Sequence, residues 1–146
     1  MIIGIGNDII EQSRVKRACE RAAFLTRVYT KKEQKLIEAD RQKAAGNWAI
    51  KEAVSKVLGR GFAGIEPVEI EVLREDSGRP YVTLYGKAEA CARRLGITRL
   101  HVSLSHTGDY VCAFAVGEGE PAKRQEAAYG QRADSRDGQE EESCGI

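Results

Sequence analysis

The sequence predicts an α+β fold: antiparallel strands packed against a long central helix. The order of hydrophobic patterns is the first reason, running strand, helices, hairpin, helix, hairpin, with no repeating βαβ unit. Residues 44–58, AAGNWAIKEAVSKVL, are the second: Ala49, Ala53 and Val57 make one helical stripe and Ile50, Val54 and Leu58 its neighbour. An apolar face that wide places this helix at the centre. The third is the clean period-two alternation of 68–72 and 81–85 on either side of a turn rich in Asp, Ser, Gly and Pro.

In chain order, the glycine-punctuated apolar run Met1–Gly6 reads as a buried strand. Residues 13–25 read as a basic helix with Ser13 as N-cap. Thr30-Lys31-Lys32-Glu33 has the form of a capping box that opens a second helix to about Asp40. The central helix stops at Gly59. After the first hairpin, a short helix spans 87–95 and ends at Gly96. Leu100–Ser105 and Tyr110–Val116 form a second hairpin across 106–109.

The 146 residues, 42% hydrophobic and 31% charged, suit one globular domain rather than a disordered or fibrous chain. No run approaches the ~20 apolar residues of a membrane span, and Met1–Asp8 lacks the basic start of a secretory signal. A cytoplasmic protein that engages no membrane is therefore expected. Cys19, Cys91, Cys112 and Cys144 have no CxxC spacing, which points to free thiols rather than a zinc site. The net charge of +1 is unevenly spread: residues 118–146 hold 8 acids and 4 bases, whereas 1–117 hold 19 bases and 14 acids. The sequence thus predicts a folded domain over 1–117 and a polar, acidic, disordered tail over 118–146, which has too little apolar surface to offset the entropy of ordering.

Several residues have the types and placements that chemistry needs. Gly59, Gly61 and Gly64 fit GxGxxG, but they close a helix instead of leading from a strand into one. That excludes a dinucleotide fingerprint and leaves a loop whose backbone can approach a phosphate. Trp48, Glu52 and Lys56 recur every four residues on the central helix. Glu52 and Lys56 are either an ion pair at the edge of a core face or a metal-holding carboxylate and a phosphate-holding ammonium. Asp8 follows the first strand, where it serves as a turn residue or a metal ligand. Mg²⁺ takes one or two protein carboxylates and completes its shell with water and substrate phosphate, so Asp8 and Glu52 together suit it. His106, at the tip of the last hairpin, is a surface residue or a phosphate contact. Arg14, Arg17 and Arg21 share a helical face, as a solvated stripe or a dock for an acidic partner. Few aromatics lie near the stripe, which argues against nucleic acid as the partner.

Three blocks resemble the holo-acyl-carrier-protein synthases, the short bacterial 4′-phosphopantetheinyl transferases. They are Ile5-Gly6-Asn7-Asp8-Ile9-Ile10-Glu11; Trp48-Ala49-Ile50-Lys51-Glu52-Ala53-Val54-Ser55-Lys56 with Gly59 and Gly61; and Ser103-Leu104-Ser105-His106-Thr107. Gly78-Arg79-Pro80-Tyr81 also fits, and the likeness runs from Met1 to about Val116. The resemblance implies the 4′-phosphopantetheinyl transferase fold. It implies transfer of the phosphopantetheine arm of coenzyme A to a serine of apo-acyl carrier protein, with release of adenosine 3′,5′-bisphosphate. It also implies roles: Asp8 and Glu52 as Mg²⁺ ligands and catalytic residues with Lys56, which contacts the pyrophosphate; Gly59, Gly61 and His106 as substrate-binding residues, His106 near the nucleotide; Arg14, Arg17 and Arg21 as the carrier dock. A homotrimer with coenzyme A in clefts between protomers is implied as well.

The sequence departs from the family pattern at three points. Asn47-Trp48 replaces an Arg-Phe pair, and a neutral Asn47 cannot pair with a phosphate as an arginine would. Ile10 stands where larger relatives carry a second acid of the metal pair, so water must complete the shell. The tail has no counterpart in the minimal pattern. Asn47 also leaves room for a non-catalytic binder of coenzyme A or carrier on the same fold. The residues do not choose among fatty-acid, polyketide or other carriers.

Overall fold

The computed structural model describes residues 1–120. β1 (Ile2–Glu11) leads through three short helices, α1 (Gln12–Ala18), α2 (Ala22–Val28) and α3 (Lys31–Ala39), to the 16-residue α4 (Gln42–Val57). A 3₁₀ turn at Pro67–Glu69 precedes the hairpin of β2 (Ile70–Arg74) and β3 (Pro80–Leu84). Then come α5 (Gly86–Leu95), β4 (Ile97–His106) and β5 (Tyr110–Gly119). The antiparallel sheet β1-β5-β4 forms one layer and β2-β3 a second, smaller sheet. This is the α+β arrangement expected.

α4 sits between these layers and is buried almost all round: Ala49, Ile50, Ala53 and Val54 have no exposure. Its contact with the large sheet is unusually close because both surfaces are small. A Cβ built on Gly6 would fall 2.0 Å from the carbonyl oxygen of Ala53, and one on Gly4 2.7 Å from that of Val57. Only glycine on β1 permits the helix to lie this near.

Local signals hold where they are chemically specific. Thr30 caps α3, with its hydroxyl accepting from Glu33 N–H while the Glu33 carboxylate accepts from Thr30 N–H. α5 ends at Gly96, whose φ of 79° suits glycine. The first strand differs from expectation. It runs on to Glu11, paired with β5 as far as Glu11↔Tyr110, so Asp8 lies within the strand and not after it. Nor is it buried on both faces: Ile5 and Ile9 are 62% and 68% exposed. The single basic helix over 13–25 is in fact two helices broken at 19–21. Glu11, not Ser13, precedes the first turn, and Ser13 donates to the Glu11 carboxylate. Residues 67–69 form the 3₁₀ turn, so β2 begins two residues later than the alternation suggests. The folded part extends past 117, since β5 includes Glu118 and Gly119 and Glu120 N–H donates to Gly96. The remainder of the predicted tail lies outside the described residues, as does Cys144. Cys19, Cys91 and Cys112 are free. Among the described residues no helix is long and apolar enough to cross a membrane.

Candidate functional site

β1 and α4 bring Asp8, Glu52 and Lys56 together. Alternation along β1 points Gly4, Gly6, Asp8 and Ile10 toward α4, and the two glycines clear the approach. Glu52 and Lys56, one turn apart, emerge on the β1 side of the helix. The Lys56 ammonium donates to Asp8 Oδ1 at 3.0 Å and to the Asn7 carbonyl at 2.6 Å. Burial pushes the Glu52 carboxyl above its ordinary value, and the neighbouring Asp8 charge adds to this while Lys56 opposes it. Two carboxylates that feel each other's charge beside one ammonium are short of positive charge.

Asp8 Oδ2 makes the same point by a different route. It is buried and has no hydrogen-bond donor among the described residues. Such an atom costs about 1–3 kcal/mol unless something satisfies it. The donor set is hard oxygen from two carboxylates, open to solvent on the Lys56 side, where the lysine side chain is 47% exposed. That set fits Mg²⁺, which binds through one or two carboxylates and keeps the rest of its shell for water and phosphate. Among the described residues no group of three or more His, Cys, Asp or Glu clusters as a metal cage would.

The remaining expected residues sit elsewhere. Gly59 and Gly61, with φ of 75° and 56°, shape the loop that leaves α4 just beyond Lys56. Arg14 and Arg17 are exposed on α1, but Arg21 is the extended residue preceding α2. The break at 19–21 therefore takes Arg21 off the helical face that the spacing suggested. His106 ends β4, at the opposite edge of the sheet from β1. It lines a cavity of about 250 Å³ with Lys43, Gly46, Arg74, Pro80 and Leu104. Lys43, Arg74 and His106 line it with the amides of Gln12 and Gln42, and no acid is among its lining residues, a set whose chemistry suits an anion. Burial lowers the Arg74 guanidinium below its usual value, and the charges of Glu33 and Asp40 restore part of it.

Sequence reasoning missed Lys43 and Arg74. Arg74 follows an alternating strand at the start of a turn, where an arginine reads as surface. Asn47, a point of departure from the family pattern, lies in the core. That side chain has no exposure and donates to Glu33 Oε1 at 3.1 Å and to the Val72 carbonyl at 2.8 Å. Position 47 faces the core, where the asparagine joins the bonds of Glu33 and β2.

Fold and site together define an enzyme class that handles anionic substrates: paired carboxylates and a lysine at one edge of a sheet, a cationic cavity at the other. Residues 4–115 match the model of the 4′-phosphopantetheinyl transferase superfamily. The chain is 54% identical over 118 residues to a holo-[acyl-carrier-protein] synthase of Lachnoclostridium phytofermentans, covering 81% of this chain and 97% of that one. Its fold is similar to that of the acyl carrier protein synthase of Plasmodium yoelii with ADP bound, at a TM-score of 0.73 and 30% identity over 82% of this chain and 97% of that one. The holo-(acyl-carrier-protein) synthase of Bacillus anthracis in complex with CoA (3′,5′-ADP) superposes with a TM-score of 0.68 at 30% identity, covering 82% of this chain and 99% of that one. The chain belongs to the 4′-phosphopantetheinyl transferase superfamily.

Proposed function

We propose that this protein transfers the 4′-phosphopantetheine group of coenzyme A to a serine of apo-acyl carrier protein and releases adenosine 3′,5′-bisphosphate. The observation that carries the chemistry is the convergence of Asp8, Glu52 and Lys56 at the β1–α4 contact, with Asp8 Oδ2 left without a donor. Displacement at a diphosphate phosphorus is mainly a matter of alignment and charge. The serine Oγ forms the new bond to phosphorus. The bond from that phosphorus to the bridging oxygen breaks, and the bisphosphate leaves with the electron pair. The nucleophile belongs to the carrier, so the enzyme needs no Ser-His-Asp triad.

Asp8 and Glu52 hold Mg²⁺ in this reading, and the ion supplies charge stabilisation at the phosphate oxygens. Lys56 turns from Asp8 to the diphosphate and offsets charge that grows on the leaving group. A carboxylate of the Asp8–Glu52 pair, or water held by it, accepts the serine proton. Gly59 and Gly61 let the loop backbone come near the phosphates. His106, Lys43 and Arg74 receive the nucleotide end of coenzyme A. Arg14 and Arg17 on α1 dock the acidic carrier, and Arg21, off that face, adds positive charge to the same segment.

The active form in this reading is a homotrimer. The outer face of the large sheet carries Ile5, Ile9, Tyr110 and Phe114, which are 62%, 68%, 51% and 48% exposed. Large contiguous apolar faces of this kind mark protein interfaces. The two halves of the site also open at opposite edges of the sheet, with α4 packed between them. In a trimer a neighbouring copy would set its own cationic cavity beside the carboxylates of this one, and coenzyme A would lie in the cleft between them. A ring with identical head-to-tail contacts provides that arrangement at every interface.

The deciding experiment incubates an apo-acyl carrier protein with the full chain, coenzyme A and Mg²⁺, and weighs the carrier by mass spectrometry. One phosphopantetheine adduct on the serine is expected, with one equivalent of adenosine bisphosphate. An unmodified carrier refutes the proposal. That outcome would favour the second reading, a non-catalytic binder of coenzyme A or carrier on the same fold.

A further inference from the structure

α4 carries a second set of polar side chains that the transfer chemistry does not use. Lys51 and Asn47 lie one turn apart, on the side turned away from the glycine strand. Both are completely buried. The Lys51 ammonium donates to Glu33 Oε2 at 2.9 Å, to the Pro67 carbonyl at 3.0 Å and to the Ile70 carbonyl. All three of its donors are therefore satisfied. Asn47 adds bonds to the other oxygen of the same carboxylate and to the Val72 carbonyl. Glu33 itself accepts further from Val72 N–H and Thr30 N–H. One carboxylate on α3 thus ties two consecutive turns of α4 to the backbone of β2 and the turn before it.

We infer that the Lys51–Glu33–Asn47 cluster is the positioning device that sets the rotation of α4, and with it the aim of Glu52 at Asp8. The inference rests on the proposed function, because it concerns the same carboxylate pair. The sheet side of α4 specifies rotation less firmly. Its nearest approaches are Gly4 and Gly6 against Ala53 and Val57, and its side-chain bonds to β1 come from Lys56, a long side chain that is half exposed. Small, smooth surfaces fix how close two elements lie but offer no large side chains to lock into grooves, so rotation is weakly specified. Directional bonds on the opposite side specify it strongly. Glu52 follows Lys51 directly, about 100° further round the helix. Its carboxylate projects roughly 6–7 Å from the axis, so a 10° rotation moves it by about 1 Å. A displacement of about 1 Å can cost ~10²-fold in rate.

The test removes the buried pair without stranding one charge, using the full-length double variant Glu33→Gln/Lys51→Met. Mn²⁺ serves as a paramagnetic probe, read by quenching of Trp48, the chain's one tryptophan and one turn from Glu52. The half-saturating Mn²⁺ concentration is expected to rise at least ~10-fold. kcat should fall ~10- to 100-fold, with KM for coenzyme A and for carrier within twofold of the parent. Asn47→Ala, the milder variant, should move both quantities the same way by ~3- to 10-fold if the double variant fails to fold. Glu71→Gln is the structural control, since Glu71 is buried and bonded to Thr30 and Tyr85 but not to α4. It should lower the Tm and leave Mn²⁺ affinity and kcat alone. The inference is overturned if a folded positioning variant keeps Mn²⁺ affinity and kcat within twofold, or if Glu71→Gln reproduces the losses at equal Tm. A parent chain that binds no Mn²⁺ at this site overturns it as well. A parent chain that binds Mn²⁺ but transfers nothing refutes only the proposed function.

Discussion

A methyl group at position 6 would sit 2.0 Å from the carbonyl oxygen of Ala53 and 3.0 Å from its carbonyl carbon and from Cβ of Lys56. Two of those three contacts are helix backbone, so no side chain can swing away to relieve them. To restore an ordinary separation of 3.4 Å, α4 must withdraw from β1 by about 1.4 Å, an overpacking strain of about 1–3 kcal/mol. The displacement falls at Lys56 and one turn from Glu52, across from Asp8. Gly6→Ala should therefore lower kcat about 100-fold or more, as misplacement on the 1 Å scale does. The same strain should lower the Tm by several degrees, at roughly 4 °C per kcal/mol. Steady-state transfer to an apo carrier, with Mg²⁺ titrated at fixed coenzyme A, separates the two effects. Gly108→Ala is the matched control, because a Cβ there meets nothing within 4 Å. A folded Gly6→Ala protein with the parent's kcat and Mg²⁺ requirement would refute the placement of the reaction at the β1–α4 contact.

Four further outcomes follow from the same geometry. The Glu52 carboxyl lies above its ordinary value, so the folded protein holds a proton that the unfolded chain has released, and metal-free stability falls as pH rises through that window. Glu52→Gln should then raise the metal-free Tm at neutral pH and abolish any rise on adding Mg²⁺; in the parent, Mg²⁺ affinity should weaken as pH drops through the window, with proton release on binding measurable by calorimetry in two buffers. Arg74→Met should raise KM for coenzyme A about 10-fold and leave KM for carrier unchanged, and the penalty should vanish with a cosubstrate lacking the 3′-phosphate. Arg14→Glu/Arg17→Glu should raise KM for carrier far more than for coenzyme A, most at low salt. Phe114→Glu should give a monomer by sedimentation and lose activity in proportion.

What could be read from the sequence divides along a physical line. Elements that close on their own local bonds were legible: the Thr30–Glu33 capping box, the Gly96 stop and the two hairpins. Elements decided by distant neighbours were not. β1 looked short because Gly4, Gly6 and Asp8 interrupt its apolar pattern, yet those residues are small or polar because α4 presses on that face. The break at 19–21 carries no Gly or Pro to announce it. Asp8, Glu52 and Lys56 stood out by type, but spacing alone left Glu52 and Lys56 as an ion pair at a core edge; the family resemblance joined the three, and the β1–α4 contact brings them together. Arg74 and Lys43 did not stand out, since each becomes part of a cavity only when β2, α4 and β4 meet around it. The partners of Asn47 were hidden for the complementary reason: its position on the helix faces Glu33 and the Val72 carbonyl, and periodicity alone cannot name the neighbour on that side.

The position of α4 links these observations to assembly. A helix that runs between a three-stranded and a two-stranded sheet, buried on nearly every side, presents its side chains to ligands at its flanks and its N-terminal end. One flank offers Glu52 and Lys56 to Asp8; the other, at Gly46, opens the cavity of Arg74 and His106. Gly46 precedes Glu52 by six residues, about 9 Å along the axis, and β5 separates β1 from β4 by a further strand, so the edges lie roughly 10 Å apart. The described residues, 1–120, enclose a small core with little room for a deep internal cleft as well. A cleft between copies, as in the proposed trimer, would give the exposed Ile5, Ile9, Tyr110 and Phe114 a reason to be apolar. Assembly would then be part of the active site. Mixing inactive Glu52→Gln subunits with inactive Arg74→Met/His106→Ala subunits should therefore restore activity, because some mixed interfaces pair an intact carboxylate edge with an intact cationic cavity. No recovery after co-refolding would show that one chain holds the whole site.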